Sequence, residues 1–175
     1  VALLVRLNIT AVLNCASSGI RNLPLDAYAE NGIDYNYTNV AQDAHNYPIL
    51  HDRHGVTSDH LETAQTVYER VRNSRSTGRQ CNLMFFCVAG QNRSATLAVA
   101  VQVAAGIPLD DVLRVCSKSR PFILENVGFQ KQLIELEAKA KGEATSGPST
   151  LMPPDGKREF SNAYGSIGGK APKTN

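Results

Sequence analysis

Long apolar runs are missing from this chain: no stretch reaches the roughly 18 apolar residues that a membrane-spanning helix needs. Cysteine is sparse. Cys15, Cys81, Cys87 and Cys116 form no Cys-x-x-Cys pair and sit beside no histidine cluster, which argues against a zinc site. A domain of 175 residues with 42% hydrophobic content builds its own core, so no disulfide framework is required. Scattered thiols suit a reducing compartment, and the expected location is the cytoplasm. Charge of one sign is also scarce. A net charge of +2 is well short of what a non-specific nucleic-acid binder carries. Any anion must be held locally. The opening residues do not read as a charged-then-apolar leader; Val1 rather than Met opens the chain, and the expectation is that natural residues precede it.

Three short β-rich runs are present: Ile9–Asn14, Ile33–Val40 and Leu83–Cys87. The first and third are nearly continuous in apolar residues, as strands covered on both faces are. Helical periodicity fills the rest. Leu61, Ala64, Val67, Tyr68 and Val71 recur near 3.6 residues, behind Thr57, Ser58 and Asp59 as candidate caps. The run 95–105 mixes alanine with valine and is assigned to a buried helix, ended by Gly106 and Pro108. Segment 109–117 opens with Asp110 and Asp111, favourable at a helix N-terminus. A last helix starts at Asn126 and runs to about Lys141. Strands alternating with helices predict an α/β fold: a central, mostly parallel sheet with helices on both faces. From Gly142 on, 34 residues hold 6 of the 13 glycines and 4 of the 8 prolines. That is tail composition, so a folded domain over 1–141 is expected to carry a tail over 142–175.

The chemistry concentrates in Phe86-Cys87-Val88-Ala89-Gly90-Gln91-Asn92-Arg93-Ser94. A cysteine ends a strand, five residues form a loop and an arginine opens a helix. The backbone N–H groups of Val88, Ala89, Gly90, Gln91 and Asn92 can curl inward, with the positive end of a helix behind them. Such a cradle fits a phosphate dianion. Arg93 would grip two oxygens with its planar fork, and the same field would convert Cys87 to a thiolate nucleophile. Ser94 places a hydroxyl beside the sulfur.

Cys-x5-Arg-Ser in this setting resembles the signature of dual-specificity protein phosphatases. Three further segments are similar to the same family: Ile9–Asn14; Gly32-Ile33-x-Tyr35 followed by Val40-Ala41-Gln42-Asp43; and Arg120-Pro121, Asn126 and Gly128-Phe129-x-x-Gln132-Leu133. The resemblance implies attack of Cys87 on phosphorus to form a phosphocysteine, with Asp43 acting first as general acid and then as general base. It implies that Ser94 assists the leaving sulfur, and that the loop amides and Arg93 bind phosphate without a metal or other cofactor. The expected partner is a phosphoprotein, with neither nucleic acid nor membrane involved.

Two departures stand out. Phe86 occupies the place of the family's usual histidine, and Asp43 precedes Cys87 by 44 residues, a long gap. The extra length falls at 44–56, where Asp52 is a rival acid; Asp59 is assigned to a helix cap. His51, His54 and His60 are read as surface residues rather than metal ligands. Cys15 and Cys81 are expected to be core fillers, with a protective disulfide to an oxidised Cys87 as the alternative. Cys116 is expected to be buried. The loop residues Val88, Ala89 and Gln91 are neutral, which disfavours a multiply phosphorylated lipid and favours phosphotyrosine and phosphoserine or phosphothreonine in a shallow pocket. The competing functions are an RNA 5′-triphosphatase, a phospho-binding pseudophosphatase and an inert scaffold.

Overall fold

A computed structural model describes residues 1–16, 24–52 and 54–142. The expected tail from 143 onward lies outside the described residues. Three parallel strands, β1 (Ile9–Asn14), β2 (Asp34–Tyr37) and β3 (Asn82–Phe86), form a sheet in the order β2-β1-β3. Six helices surround it: α1 (Ala2–Arg6), α2 (Leu25–Ala29), α3 (Asp59–Ser76), α4 (Arg93–Ala104), α5 (Leu109–Ser119) and α6 (Val127–Ala140).

Both faces of the sheet are covered, and the two-residue period of the strands decides which side chain goes where. Val12 of β1 joins Tyr28, Ile33, Met84 and Phe86 under α1 and α2. Ala11 and Leu13 face the opposite side, where Leu83 and Phe85 of β3 meet α3 and α4. On that side lies the main core, with Leu13, Leu61, Leu97, Phe129 and Leu133 sealed from solvent. Each such side chain stabilises the fold by about 1.5–3 kcal/mol on burial. α4 is the central helix of this layer. Its alanines and valines, ambiguous in the sequence, are helical because α3, α5 and α6 surround it and leave it almost no polar face.

Three boundaries differ from expectation. β2 is shorter than Ile33–Val40: the Thr38 N–H makes the last ladder bond, to the Asn14 carbonyl, and beyond it the Val40 N–H turns back to the Thr38 carbonyl. β3 ends at Phe86, which releases Cys87 into the loop. Ser58, not Asp59, caps α3: its Oγ accepts the Leu61 N–H at 3.2 Å, and Asp59 is the first helical residue. α1 and α2 are five residues each, too short for a periodic signal. Among the described residues, no helix is long and apolar enough to cross a membrane.

Candidate active site

Parallel strands deliver their C-terminal ends to one edge of the sheet, and Cys87 leaves β3 there. Residues 88–92 curl instead of extending. The N–H groups of Gly90 and Ser94, three and seven residues downstream, both reach the Cys87 sulfur, as does the Ser94 Oγ–H at 3.3 Å. Gly90 makes the tight turn with φ 68°. It also permits close approach, since a Cβ there would meet the Arg120 guanidinium at 3.2 Å. α4 starts at Arg93, so the positive end of a twelve-residue helix lies directly behind the loop.

Burial alone would raise the Cys87 thiol. The Ser94 hydroxyl, the Ser94 and Gly90 N–H groups and the Arg93 charge outweigh it and hold the thiol below its ordinary value. Cys15, which follows β1 beside Cys87, shows the opposite balance. Burial pushes its thiol far up and the Cys87 charge adds to this, with Arg93 only partly offsetting them. Burial likewise raises the half-buried Cys116, which is less enclosed than expected. At neutral pH, iodoacetate should therefore alkylate Cys87 much faster than Cys15 or Cys116. Peptide mapping after a short exposure checks this, and equal labelling would contradict the electrostatic picture.

Arg93 is half-buried and its Nη1 donates to the Val40 carbonyl at 2.8 Å. The arginine thereby ties the loop to the segment that leads to Asp43. Asp43 stands at the same edge: its Oδ2 accepts Asn92 Nδ2 at 2.9 Å, and Asn92 belongs to the loop itself. Asp52 is engaged elsewhere. Its Oδ1 accepts the N–H groups of His54 and Val56, both at 2.8 Å, closing the turn of its own segment. Chiefly through the Val56 bond, these hold the carboxyl below its usual range. Thus Cys87, Arg93, Ser94, Asn92 and Asp43 converge, and Asp52 serves a local turn.

The dual specificity phosphatase catalytic domain model matches residues 1–139, most of the described chain. The chain belongs to the dual specificity phosphatase family. Mouse dual specificity protein phosphatase 8 is 39% identical over 77 residues, covering 42% of this chain and 12% of that protein. The chain thus spans about a tenth of the length of the curated relatives it matches. Among solved structures, human DUSP28 is similar with TM-score 0.57 at 19% identity, over 82% of this chain and 87% of that one. PTPMT1 in complex with PI(5)P is similar with TM-score 0.58 at 16% identity, over 81% and 85%. These two likenesses are of fold.

Within this dual specificity phosphatase domain, several residues at the site had no assigned role there in the sequence. The segment joining α5 to α6 backs the loop: Leu124, at φ 59°, donates its N–H to the Gln91 carbonyl at 2.8 Å. The Asn126 N–H donates to Asn92 Oδ1 at 3.0 Å, and exposed Arg120 lies over Gly90 as a second cation at the rim. In the sequence, Arg120-Pro121 stands only as part of the segment similar to the family, with no role at the site. Phe86 points to the α1/α2 face, packed near Val12 and Tyr28, on the side of the sheet away from the main core. Cys81 lies at the start of β3, about 20 Å of strand from Cys87, with its thiol directed at the Val71 carbonyl; it does not neighbour the loop. His60 is not a surface residue. Partly buried, it pairs Nδ1 with Thr38 Oγ1 at 2.7 Å and Nε2 with the Tyr47 hydroxyl at 3.2 Å, bracketing the Asp43 segment. His51 is also partly buried, while His54 is exposed. Among the described residues, no group of three His, Cys, Asp or Glu side chains is spaced to hold a metal ion.

Proposed function

We propose that this domain is a phosphoprotein phosphatase that hydrolyses phosphotyrosine and phosphoserine or phosphothreonine through a phosphocysteine. The observation that carries the reading is the sulfur of Cys87, met by two backbone N–H groups and a hydroxyl in a curled loop at a helix N-terminus. Surroundings of this kind favour the thiolate form of the sulfur, and the loop amides around it suit the oxygens of a phosphate.

In the first step Sγ attacks phosphorus in line. The S–P bond forms, the P–O bond to the protein side chain breaks, and Asp43 gives its proton to the departing oxygen. Arg93 and the N–H groups of residues 88–93 bind the three equatorial oxygens, so the chemistry calls for no metal. In the second step Asp43 takes a proton from water as the water oxygen attacks. The P–S bond breaks, and the Ser94 hydroxyl stabilises the thiolate that leaves.

Hydrolysis of p-nitrophenyl phosphate in the presence of a chelator tests the reading first. The acid is tested by a pair of variants. Asp43→Asn is expected to lower kcat/KM on phosphotyrosyl and phosphothreonyl peptides by about 10²-fold, the lower end of general-acid effects. Asp52→Asn should leave kcat/KM nearly unchanged; the reverse pattern would reassign the acid.

The neutral side chains Val88, Ala89 and Gln91 at the mouth favour a singly phosphorylated side chain over a polyphosphorylated headgroup. An RNA 5′-triphosphatase is the competing activity, and the modest net charge weighs against it.

A further inference from the structure

We propose that Asn126 is a positioning residue for proton transfer, holding Asp43 over the loop from a buried seat at the head of α6. The proposal rests on the reading of Asp43 as the general acid. Asp43 is exposed, and an exposed carboxylate on a long loop would ordinarily sample many orientations. Asn126 is 4% exposed, and every polar atom of its side chain is engaged. Its Nδ2 donates to the Asp43 Oδ1 at 2.9 Å and to the Asp43 carbonyl at 3.1 Å. Its Oδ1 accepts the Phe129 N–H at 3.2 Å and so caps α6. Its own N–H donates to Asn92 Oδ1, and Asn92 Nδ2 completes the ring on Asp43 Oδ2. Asp43 is thus gripped at both carboxylate oxygens and at its backbone, by amides anchored in the phosphate loop and in α6.

A second observation places the rest of the segment on the same helix. A Cβ at Gly128 would lie 1.3 Å from the His45 carbonyl oxygen, so glycine alone lets the chain rest there. Gln132 reaches up from the next turn: its Nε2 donates to the Tyr47 carbonyl at 2.8 Å and its Oε1 accepts the Leu50 N–H at 2.9 Å. Residues 43–50 therefore lie along the N-terminal end of α6. That helix packs on α4, whose first residue is Arg93. Acid, nucleophile loop and phosphate clamp share one rigid reference. The Asn126, Gly128 and Gln132 pattern near the closing helix is in this light a loop seat, beyond its role as a cap.

A pure capping role and a positioning role separate in Asn126→Ser. Serine keeps a cap acceptor for Phe129 but has no amide to reach Asp43. Should that variant fail to fold by circular dichroism, Asn126→Asp serves, since aspartate also caps and donates nothing. The readout is the dependence of kcat/KM on leaving-group pKa across aryl phosphates, because a phenol of low pKa departs without a proton. Asn126→Ser is expected to lose roughly tenfold on phenyl phosphate and less than about twofold on the most acidic phenol, reproducing the Asp43→Asn pattern in weaker form. An equal loss on all substrates, or none on any, with Asp43→Asn still showing the steep dependence, overturns the positioning role alone. If Asp43→Asn shows no leaving-group dependence, the acid assignment fails and the proposal goes with it.

Discussion

Cys87→Ser should abolish hydrolysis of p-nitrophenyl phosphate and of phosphopeptides, by at least about 10⁴-fold in kcat, as loss of a covalent nucleophile does. The physical reason is ionisation. Two N–H groups, the Ser94 hydroxyl and the Arg93 charge suffice to depress a thiol, and a serine hydroxyl is too weak an acid to ionise in the same surroundings. Since the cradle is backbone, it should survive the exchange. The variant should still bind a phosphopeptide with a Kd close to that of the wild type, measured by fluorescence anisotropy. This second measurement separates the competing functions. A wild-type domain that binds but never turns over would be a pseudophosphatase; one that does neither would be a scaffold. Retention of full activity by Cys87→Ser would refute the covalent mechanism.

Arg93→Lys should lower kcat/KM by about 10²–10³-fold although the charge is kept. Arg93 has two tasks. One arm of the guanidinium, Nη1, holds the Val40 carbonyl at 2.8 Å, three residues before Asp43, and the remaining N–H groups are free to face a phosphate. A lysine ammonium is a single point and cannot do both. Inhibition by inorganic phosphate gives the binding half of this expectation: its Ki should rise together with the loss of kcat/KM. If Ki and kcat/KM both remain near wild type, the bidentate clamp is not what binds the oxyanion.

Legibility in the sequence followed the range of the interactions. β1 and β3 could be read from apolar continuity, and α3, α5 and α6 from period and caps, since these are properties of neighbouring residues. The strand–loop–helix arrangement around Cys87 was legible for the same reason: Cys87, Gly90, Arg93 and Ser94 lie within eight residues, and strand, turn and helix signals surround them. Asp43 was preferred over Asp52 only through family resemblance. The end of β2 was missed because it falls where the partner strand β1 stops at Asn14 and the Val40 N–H turns back to Thr38, and His60 was misplaced because its two partners come from other segments.

The linear chain by itself determined the α/β class, the family and the curl of the loop between Cys87 and Arg93, because a strand, a five-residue turn and a helix N-terminus carry their own conformational and electrostatic instructions. Folding alone decided which carboxylate is tied to the loop that follows Cys87, and that Asn92 and Asn126 bond it while Gly128 and Gln132 seat its segment. Those contacts join segments 49 to 85 positions apart. No local propensity encodes such pairings; they exist only once α4 and α6 have packed and brought their N-terminal ends to one edge of the sheet.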